Sequence, residues 1–159
     1  AGNTTTLAHY LKLLESAFLV SGLELFSRNK QRKRGSSPKL VLWNNALINA
    51  LSTRTFDVSI ADSIWWGRLV ENAVGANLCN SLNSIEYTIT YWREGNYEVD
   101  YVVARGADIR AIEVKSGASK KLSGLARFQS QYPEAKSLII GGPGIPLEEF
   151  FSTDPKHWL

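Results

Sequence analysis

The chain contains few of the residues from which disulfides and transition-metal centres are built. Its 159 residues include a single cysteine, Cys79, and two histidines, His9 and His157. One cysteine excludes an internal disulfide and a cysteine-built zinc site, and two histidines exclude a histidine cluster. Because disulfides belong mainly to oxidising compartments, this composition favours a reducing, cytoplasmic environment.

Long apolar runs, methionine and a phosphate-binding loop are also missing. No run approaches the roughly 18 apolar residues of a membrane-spanning helix, so no membrane partner is expected. No Gly-x-x-x-x-Gly-Lys-Ser/Thr sequence occurs, which excludes an ATP site of that type from this chain. A chain without methionine lacks a native start, and we interpret it as a fragment of a longer protein.

The residues that are present are typical of a soluble globular domain, with 44% hydrophobic and 21% charged residues. The net charge of +3 is unevenly spread: residues 1–45 contain seven Lys/Arg and two Asp/Glu, and residues 46–159 contain eleven and thirteen. The first segment is therefore the better candidate for contacts with a phosphate backbone.

Residues 1–45 predict a helix at about 4–17, followed by strands at 23–26 and 40–43. Helix, strand, basic loop and strand form the second half of a winged helix. The loop is strongly basic and contains Arg28, Lys30, Arg32, Lys33 and Arg34. It is interpreted either as a wing lying along nucleic acid or as a solvated loop whose charges maintain solubility.

Residues 46–159 predict an α/β domain. After a short helix at 45–51 and a polar connector, the pattern predicts a helix at 64–78, three strands between 85 and 115, a helix at 122–131 and a strand at 136–141. We expect a mixed sheet with helices on both faces.

The stretch 97–117 predicts a hairpin closed by Gly106-Ala107. Alternation places Tyr101 and Val99 on one face and Asp100 on the other. Closing the turn between Arg105 and Asp108 pairs Tyr101 with Ile112, Val99 with Val114, Asp100 with Glu113, and Glu98 with Lys115.

Two directly opposed carboxylates are destabilising unless something lies between them. A Mg²⁺ (or Mn²⁺) ion bound by Asp100 and Glu113 would convert repulsion into coordination. Lys115, on the same predicted face, would orient or deprotonate a water or stabilise phosphate charge. A second turn, Gly95-Asn96, places Arg93 opposite Glu98, so that Arg93 holds either a phosphate or an ion pair.

An Asp on one strand followed by Glu-x-Lys on the next resembles the PD-(D/E)XK nuclease superfamily. A longer string resembles the C-terminal domain of unknown function that follows the ATPase module in prokaryotic AAA-type ATPases. It runs from TLAHYLKLLESAFLVSGL through SPKLVLW, GRLVENAVGANL and YWREGNYEVDYVV to AIEVKSG.

The resemblance implies a restriction-endonuclease-like core at 46–159, preceded by a partial winged-helix-like segment at 1–45. It also implies that a carboxylate from the first core helix, here Glu71, reaches the metal site. The family's acidic residue and glycine are replaced by Asn44 and Ala46.

Three functions remain open. In the first, the domain is a metal-dependent nuclease with Asp100, Glu113, Lys115 and Glu71 as site residues and DNA as substrate. Phosphate contacts would then also come from Arg93, Lys120 and Lys121.

In the second function, the domain is a DNA- or protein-binding module that targets or regulates an attached ATPase, and the charges are structural. In the third, it is an assembly domain that forms oligomers through Trp65, Trp66, Trp92 and Trp158 if some of them are exposed.

Overall fold

Two sheets organise the chain. The computed structural model describes residues 3–28, 37–117 and 122–159. Strands β1 (Val20–Leu23) and β2 (Lys39–Leu42) form a small antiparallel sheet, and β3 (Thr88–Glu94), β4 (Tyr97–Arg105), β5 (Asp108–Val114) and β6 (Lys136–Ile140) form a mixed sheet in that order. The helices are α1 (Thr4–Ser16), α2 (Asn45–Leu51), α3 (Phe56–Ala61), α4 (Ser63–Ser81), α5 (Ser123–Gln131) and α6 (Leu147–Ser152), and a 3-10 turn (Pro155–Trp158) follows.

The two N-terminal strands begin earlier than predicted, whereas the first helix lies where it was expected. Asn3 caps α1 by accepting the N–H of Thr5, and the chain reverses at Phe18, whose φ is 55°. Because this turn follows the helix directly, β1 lies at Val20–Leu23, and the strand predicted at 23–26 is wrong. Leu25 makes only an isolated parallel bridge to Tyr91. The predicted winged-helix character of this segment, and its boundary near residue 45, stay predictions.

The second part follows the predicted order of helix, three strands, helix and strand. Asp62 caps α4 by accepting two backbone N–H groups. The three-strand meander is antiparallel, and β6 returns parallel to β5. Residues 56–61, predicted as connector, form α3 with Thr55 as its cap. The strand predicted from residue 85 begins at Thr88, because residues 83–87 form a turn held by the Asn83 side chain and carbonyl.

Helices cover both faces of the mixed sheet. On one face, Val74 and Leu78 of α4 pack with Tyr101, Ile112 and other buried residues. On the opposite face, Leu125 and Phe128 of α5 pack with residues that include Val99, Val102 and Ala111. Within the described ranges, no helix is long and apolar enough to cross a membrane.

A β-bulge interrupts β4 near its middle. Thr90 pairs with Val102 and Trp92 pairs with Val99, so Asp100 and Tyr101 both lie opposite the single residue Tyr91. The extra residue moves Val99 onto the α5 face while Tyr101 lies on the α4 face. The prediction that these two side chains share a face is therefore wrong, since a bulge changes the alternation without changing the sequence pattern.

The central hairpin has the predicted turn. Arg105 pairs with Asp108, and the ladder continues in the predicted register to Tyr101 opposite Ile112. It ends there, so the expected pairs Val99–Val114, Asp100–Glu113 and Glu98–Lys115 are not ladder pairs. The reason is local: the N–H of Val114 donates to the side-chain Oδ2 of Asp100 at 2.8 Å instead of to the backbone of β4.

Candidate functional site

The site is built around the bulge in β4. In a β-bulge the local twist increases and a side chain is re-aimed. Here the re-aimed residue is Asp100, which is anchored through Oδ2 to the N–H of Val114. Its carboxylate is largely enclosed, with 16% of the side chain exposed. The Oδ1 atom remains directed at other charged groups.

A lysine from the small sheet lies at the centre of these groups. Lys39 is the first residue of β2, and its Nζ lies 2.5 Å from Glu71 Oε1 and 3.6 Å from Asp100 Oδ1. The same ammonium donates a hydrogen bond to the backbone carbonyl of Asp100 at 3.1 Å and lies 3.8 Å from Glu98 Oε1. Only 15% of the Lys39 side chain is exposed. A single buried cation thus links three acidic residues from two elements.

Close packing of α4 on the sheet brings Glu71 to the cluster. The hydroxyl of Tyr101 donates to the backbone carbonyl of Glu71 at 2.8 Å, and its ring lies 4.8 Å from the Lys39 ammonium. This approach requires Gly75, where an added Cβ would lie 2.7 Å from Tyr101 Cζ. One small residue on the helix therefore sets the distance between Glu71 and β4.

Glu113 and Lys115 form the second half of the cluster. Lys115 Nζ lies 2.7 Å from Glu113 Oε1, and both side chains are mostly buried. The backbone N–H of Lys115 donates to Ile140 O at 2.8 Å, which continues the parallel β5–β6 pairing past the end of β5. At Gly141, with φ of 76°, a Cβ would overlap the Lys115 carbonyl, so glycine permits the close turn after β6.

Among the described residues, one buried oxygen of the cluster has no hydrogen-bond partner. Glu113 Oε2 is buried and finds no hydrogen-bond partner in the part of the chain that the structure describes. Most buried polar atoms in proteins are satisfied, so an exception inside a carboxylate cluster needs an explanation. A cation coordinated directly by this oxygen would provide that explanation.

The electrostatics of the site follow from burial and crowding of like charges. Burial, with the charges of Glu71 and Glu113, raises the pKa of Asp100 to about 7, although Lys39 and the Val114 N–H act in the opposite direction. Burial also raises the pKa of Glu113 against the effect of Lys115. Burial alone would lower the pKa of Lys39, but the charges of Asp100 and Glu71 outweigh it and raise that pKa. Lys39 therefore stays protonated at neutral pH.

The donor set fits a hard divalent cation. Asp100 Oδ1, the carboxylate of Glu71 and the unpaired Oε2 of Glu113 are oxygen ligands of the kind that Mg²⁺ takes. Across residues 3–28, 37–117 and 122–159, however, no three or more Asp, Glu, His or Cys side chains are placed so that they could hold a metal ion together. Lys39 Nζ lies beside Glu71 and Asp100, where such an ion would compensate the charge of these two carboxylates.

A cavity of about 240 Å³ adjoins the cluster. Its walls include Lys39, Glu71 and Arg68. Arg68 lies three residues before Glu71 on α4 and is exposed. It makes no ion pair to any residue whose position the structure describes. Of the carboxylates in the cluster, Glu71 lines this cavity, and the exposed Arg68 lies at its rim.

The sequence-predicted site residues divide into two groups. One group forms a charged cluster that contains Glu71, Asp100, Glu113 and Lys115. In this cluster Lys39 pairs with Glu71 and Asp100, and Lys115 pairs with Glu113. Arg93 instead forms an ion pair with Glu98 at 2.6 Å, the alternative left open from the sequence. Arg28 pairs with Glu134. The remaining predicted phosphate contacts lie outside the described residues: Lys30, Arg32, Lys33, Arg34, Lys120 and Lys121.

Lys39 and Glu98 are the members of the cluster that sequence reasoning missed. Lys39 is the one charged residue among the four of β2, a signal that was available. It was missed because nothing in the sequence places the small sheet beside the central hairpin.

The four tryptophans that motivated an assembly domain are not exposed: Trp92 is buried, and Trp65, Trp66 and Trp158 are half-buried.

Comparisons with known families divide the chain in two. Residues 66–144 match the model of a domain of unknown function (DUF4143), and residues 1–57 match that of a second domain of unknown function (DUF8612). The first match contains Glu71, Asp100, Glu113 and Lys115, and the second contains Lys39. No curated protein and no solved structure matches the chain significantly.

Proposed function

We propose that residues 46–159 form a nuclease-like domain with a metal-dependent phosphodiesterase site that acts on DNA. The observation that carries the proposal is the meeting of Asp100, Glu113 and Glu71 with Lys115 beside the β4 bulge. The order of helix, three-strand meander, helix and parallel strand is also that of the PD-(D/E)XK core named above. Domains of the family matched by residues 66–144 are commonly found with AAA ATPases, which supports an attached ATPase module as partner.

Each residue then has a distinct role. Asp100, through Oδ1, and Glu113, through Oε2, would hold the Mg²⁺ or Mn²⁺ ion, and Glu71 would complete or tune the site. The bound ion would lower the pKa of a water and neutralise charge on the scissile phosphate. Lys115, fixed against Glu113, would orient the attacking water, and Arg68 at the rim would bind a neighbouring phosphate.

A second candidate function is favoured by one observation. Because Lys39 already compensates Asp100 and Glu71, the cluster is also consistent with a structural network in a domain that binds DNA or a protein without cleaving. Members of one fold often keep residues while differing in function. The two proposals differ in whether a divalent ion binds at the carboxylates.

Calorimetric titration of the domain with MnCl₂ tests the proposal, together with a plasmid-cleavage assay on the ATPase-linked protein. Wild type should bind one ion, and Glu113→Gln should lose both binding and cleavage, because an amide is a poor replacement for an anionic ligand. Glu86→Gln removes an exposed carboxylate that lies beside Arg105, the last residue of β4, and should change neither. Equal binding by wild type and Glu113→Gln would contradict the proposed site.

A further inference from the structure

We propose that Lys39 is a built-in competitor of the divalent cation, so that the ion binds only when the Lys39 ammonium leaves the carboxylates. This inference rests on the proposed function, since it concerns the same metal site. It assigns a role to a residue outside the family match at 66–144 and inside the one at 1–57.

The contacts of Lys39 show the competition directly. Its Nζ contacts Glu71 Oε1 and approaches Asp100 Oδ1, two of the oxygens that would ligate the ion. An ammonium and a metal ion with the same oxygens cannot occupy one position. Two positive species brought that close would also repel each other in a largely buried place, where the screening by water is weak.

Lys39 is held by more than the carboxylates. Its ammonium also donates to the backbone carbonyl of Asp100 and lies over the ring of Tyr101. An ion that displaces Lys39 would break these contacts as well, so the displacement has a cost that is subtracted from the metal affinity. The cavity of about 240 Å³, which Lys39 itself lines, gives the displaced side chain a place to go.

Glu113, unlike Glu71 and Asp100, is not paired with Lys39. Its Oε1 accepts from Lys115, while Oε2 is without a hydrogen bond among the described residues. Lys39 is paired with Glu71 and Asp100 and leaves that atom unsatisfied. The ammonium is thus an incomplete substitute for a cation that would contact all three carboxylates.

The first test compares MnCl₂ affinity in single-residue variants by calorimetry. Lys39→Met keeps the apolar stem and removes the charge, and we expect it to bind Mn²⁺ about tenfold tighter than wild type or more. Lys39→Arg keeps a cation in place and should bind no more tightly than wild type. Lys136→Met, on β6, removes an exposed lysine charge away from the cluster and should leave the affinity unchanged. Adding Glu113→Gln to Lys39→Met should abolish the gain.

A second measurement uses the wild-type chain and remains valid if Lys39→Met fails to fold. Acylation of lysine amines, read residue by residue by mass spectrometry, should be slow at Lys39 in EDTA because its ammonium is buried and paired. Saturating MgCl₂ should raise the modification of Lys39 several-fold and leave Lys136 unchanged. Unchanged modification of Lys39 in saturating MgCl₂ would overturn the inference.

The outcomes separate this inference from the proposed function. Equal Mn²⁺ affinity in wild type and Lys39→Met would overturn the role of Lys39 and leave the metal site standing. If Lys39→Met binds Mn²⁺ and wild type does not, Lys39 blocks the site completely. This result would support the inference and would mean that the native domain is not a metal-dependent nuclease by itself. Absence of binding in both proteins would overturn the metal site and the inference together.

Discussion

At the scale of single residues, Asp100 shows how burial and function are linked. Its carboxylate lies beside Glu71 and Glu113, and the nearby Lys39 compensates the crowding only in part, because the pKa of Asp100 is still raised to about 7. A group that would be ionised in the unfolded chain is thus held partly protonated in the folded domain. Such raised values concentrate at functional sites, although structural charge networks also produce them.

This raised pKa predicts how the stability of the metal-free domain depends on pH. Between the ordinary pKa of 3.8 and about 7, the folded state retains a proton on Asp100 that the unfolded chain has lost. The free energy of unfolding should therefore fall as pH rises from about 4 to about 7 and level off above. Urea denaturation in EDTA at pH 5 and pH 8 measures it. Asp100→Asn should reduce this dependence of the free energy of unfolding on pH. If the variant instead shows the same dependence as wild type, other titrating groups cause it.

Gly75 provides a second prediction at this scale. An added Cβ at this position would overlap the ring and hydroxyl of Tyr101, which donates to Glu71. Gly75→Ala should therefore destabilise the domain by about 1–3 kcal/mol, the usual cost of overpacking. Gly117→Ala, where an added Cβ meets nothing within 4 Å, is the matched control. Thermal melts of both variants decide it, and an unchanged melting temperature for Gly75→Ala would refute the packing argument.

At the scale of elements, hydrophobic alternation and turn residues predicted most of the fold. Gly95-Asn96 and Gly106-Ala107 close the two hairpins where expected, and the order of helix, three strands, helix and strand from α4 to β6 is as predicted. The bulge in β4 could not be predicted, because the alternation of residues 97–103 reads as an uninterrupted strand. Tyr91, the residue opposite the bulge, makes backbone hydrogen bonds to Glu24 and Phe26, which lie far away in the sequence.

The candidate site could be predicted in the same uneven way. Asp100, Glu113 and Lys115 lie within 16 residues of sequence, so one hairpin register brings them near each other, and Glu71 followed from the family resemblance. Lys39 could not be found, since its contact with Asp100 spans 61 positions and depends on how the small sheet packs on the mixed one.

The basic loop gives a prediction at the element scale. If the loop that contains Arg32, Lys33 and Arg34 binds DNA, affinity should fall steeply with salt. Replacing these three residues with glutamine should then reduce the slope of log K against log salt by about one for each phosphate that is no longer neutralised. Fluorescence anisotropy with a labelled duplex at several salt concentrations measures both slopes. An identical slope in the variant would leave only the solvated-loop interpretation.

At the scale of the whole molecule, the two parts of the chain share one charged cluster. The small sheet contributes Lys39, and the mixed sheet with α4 contributes the carboxylates. The two family matches divide the chain between these parts, at residues 1–57 and 66–144. A change in how the parts pack would therefore change the charge balance of the site, even if no residue of the mixed sheet moved.

The most direct test of the central claim is the melting temperature of wild type and Asp100→Asn at pH 8, each in EDTA and in excess MgCl₂. In EDTA, Asp100→Asn should melt higher, because it removes a buried carboxylate whose pKa is raised. MgCl₂ should stabilise wild type, by about 2.7 kcal/mol at one hundred times Kd, and leave Asp100→Asn unchanged. If Asp100→Asn instead loses the same stability in both buffers, Asp100 belongs to a structural network and the metal site is wrong.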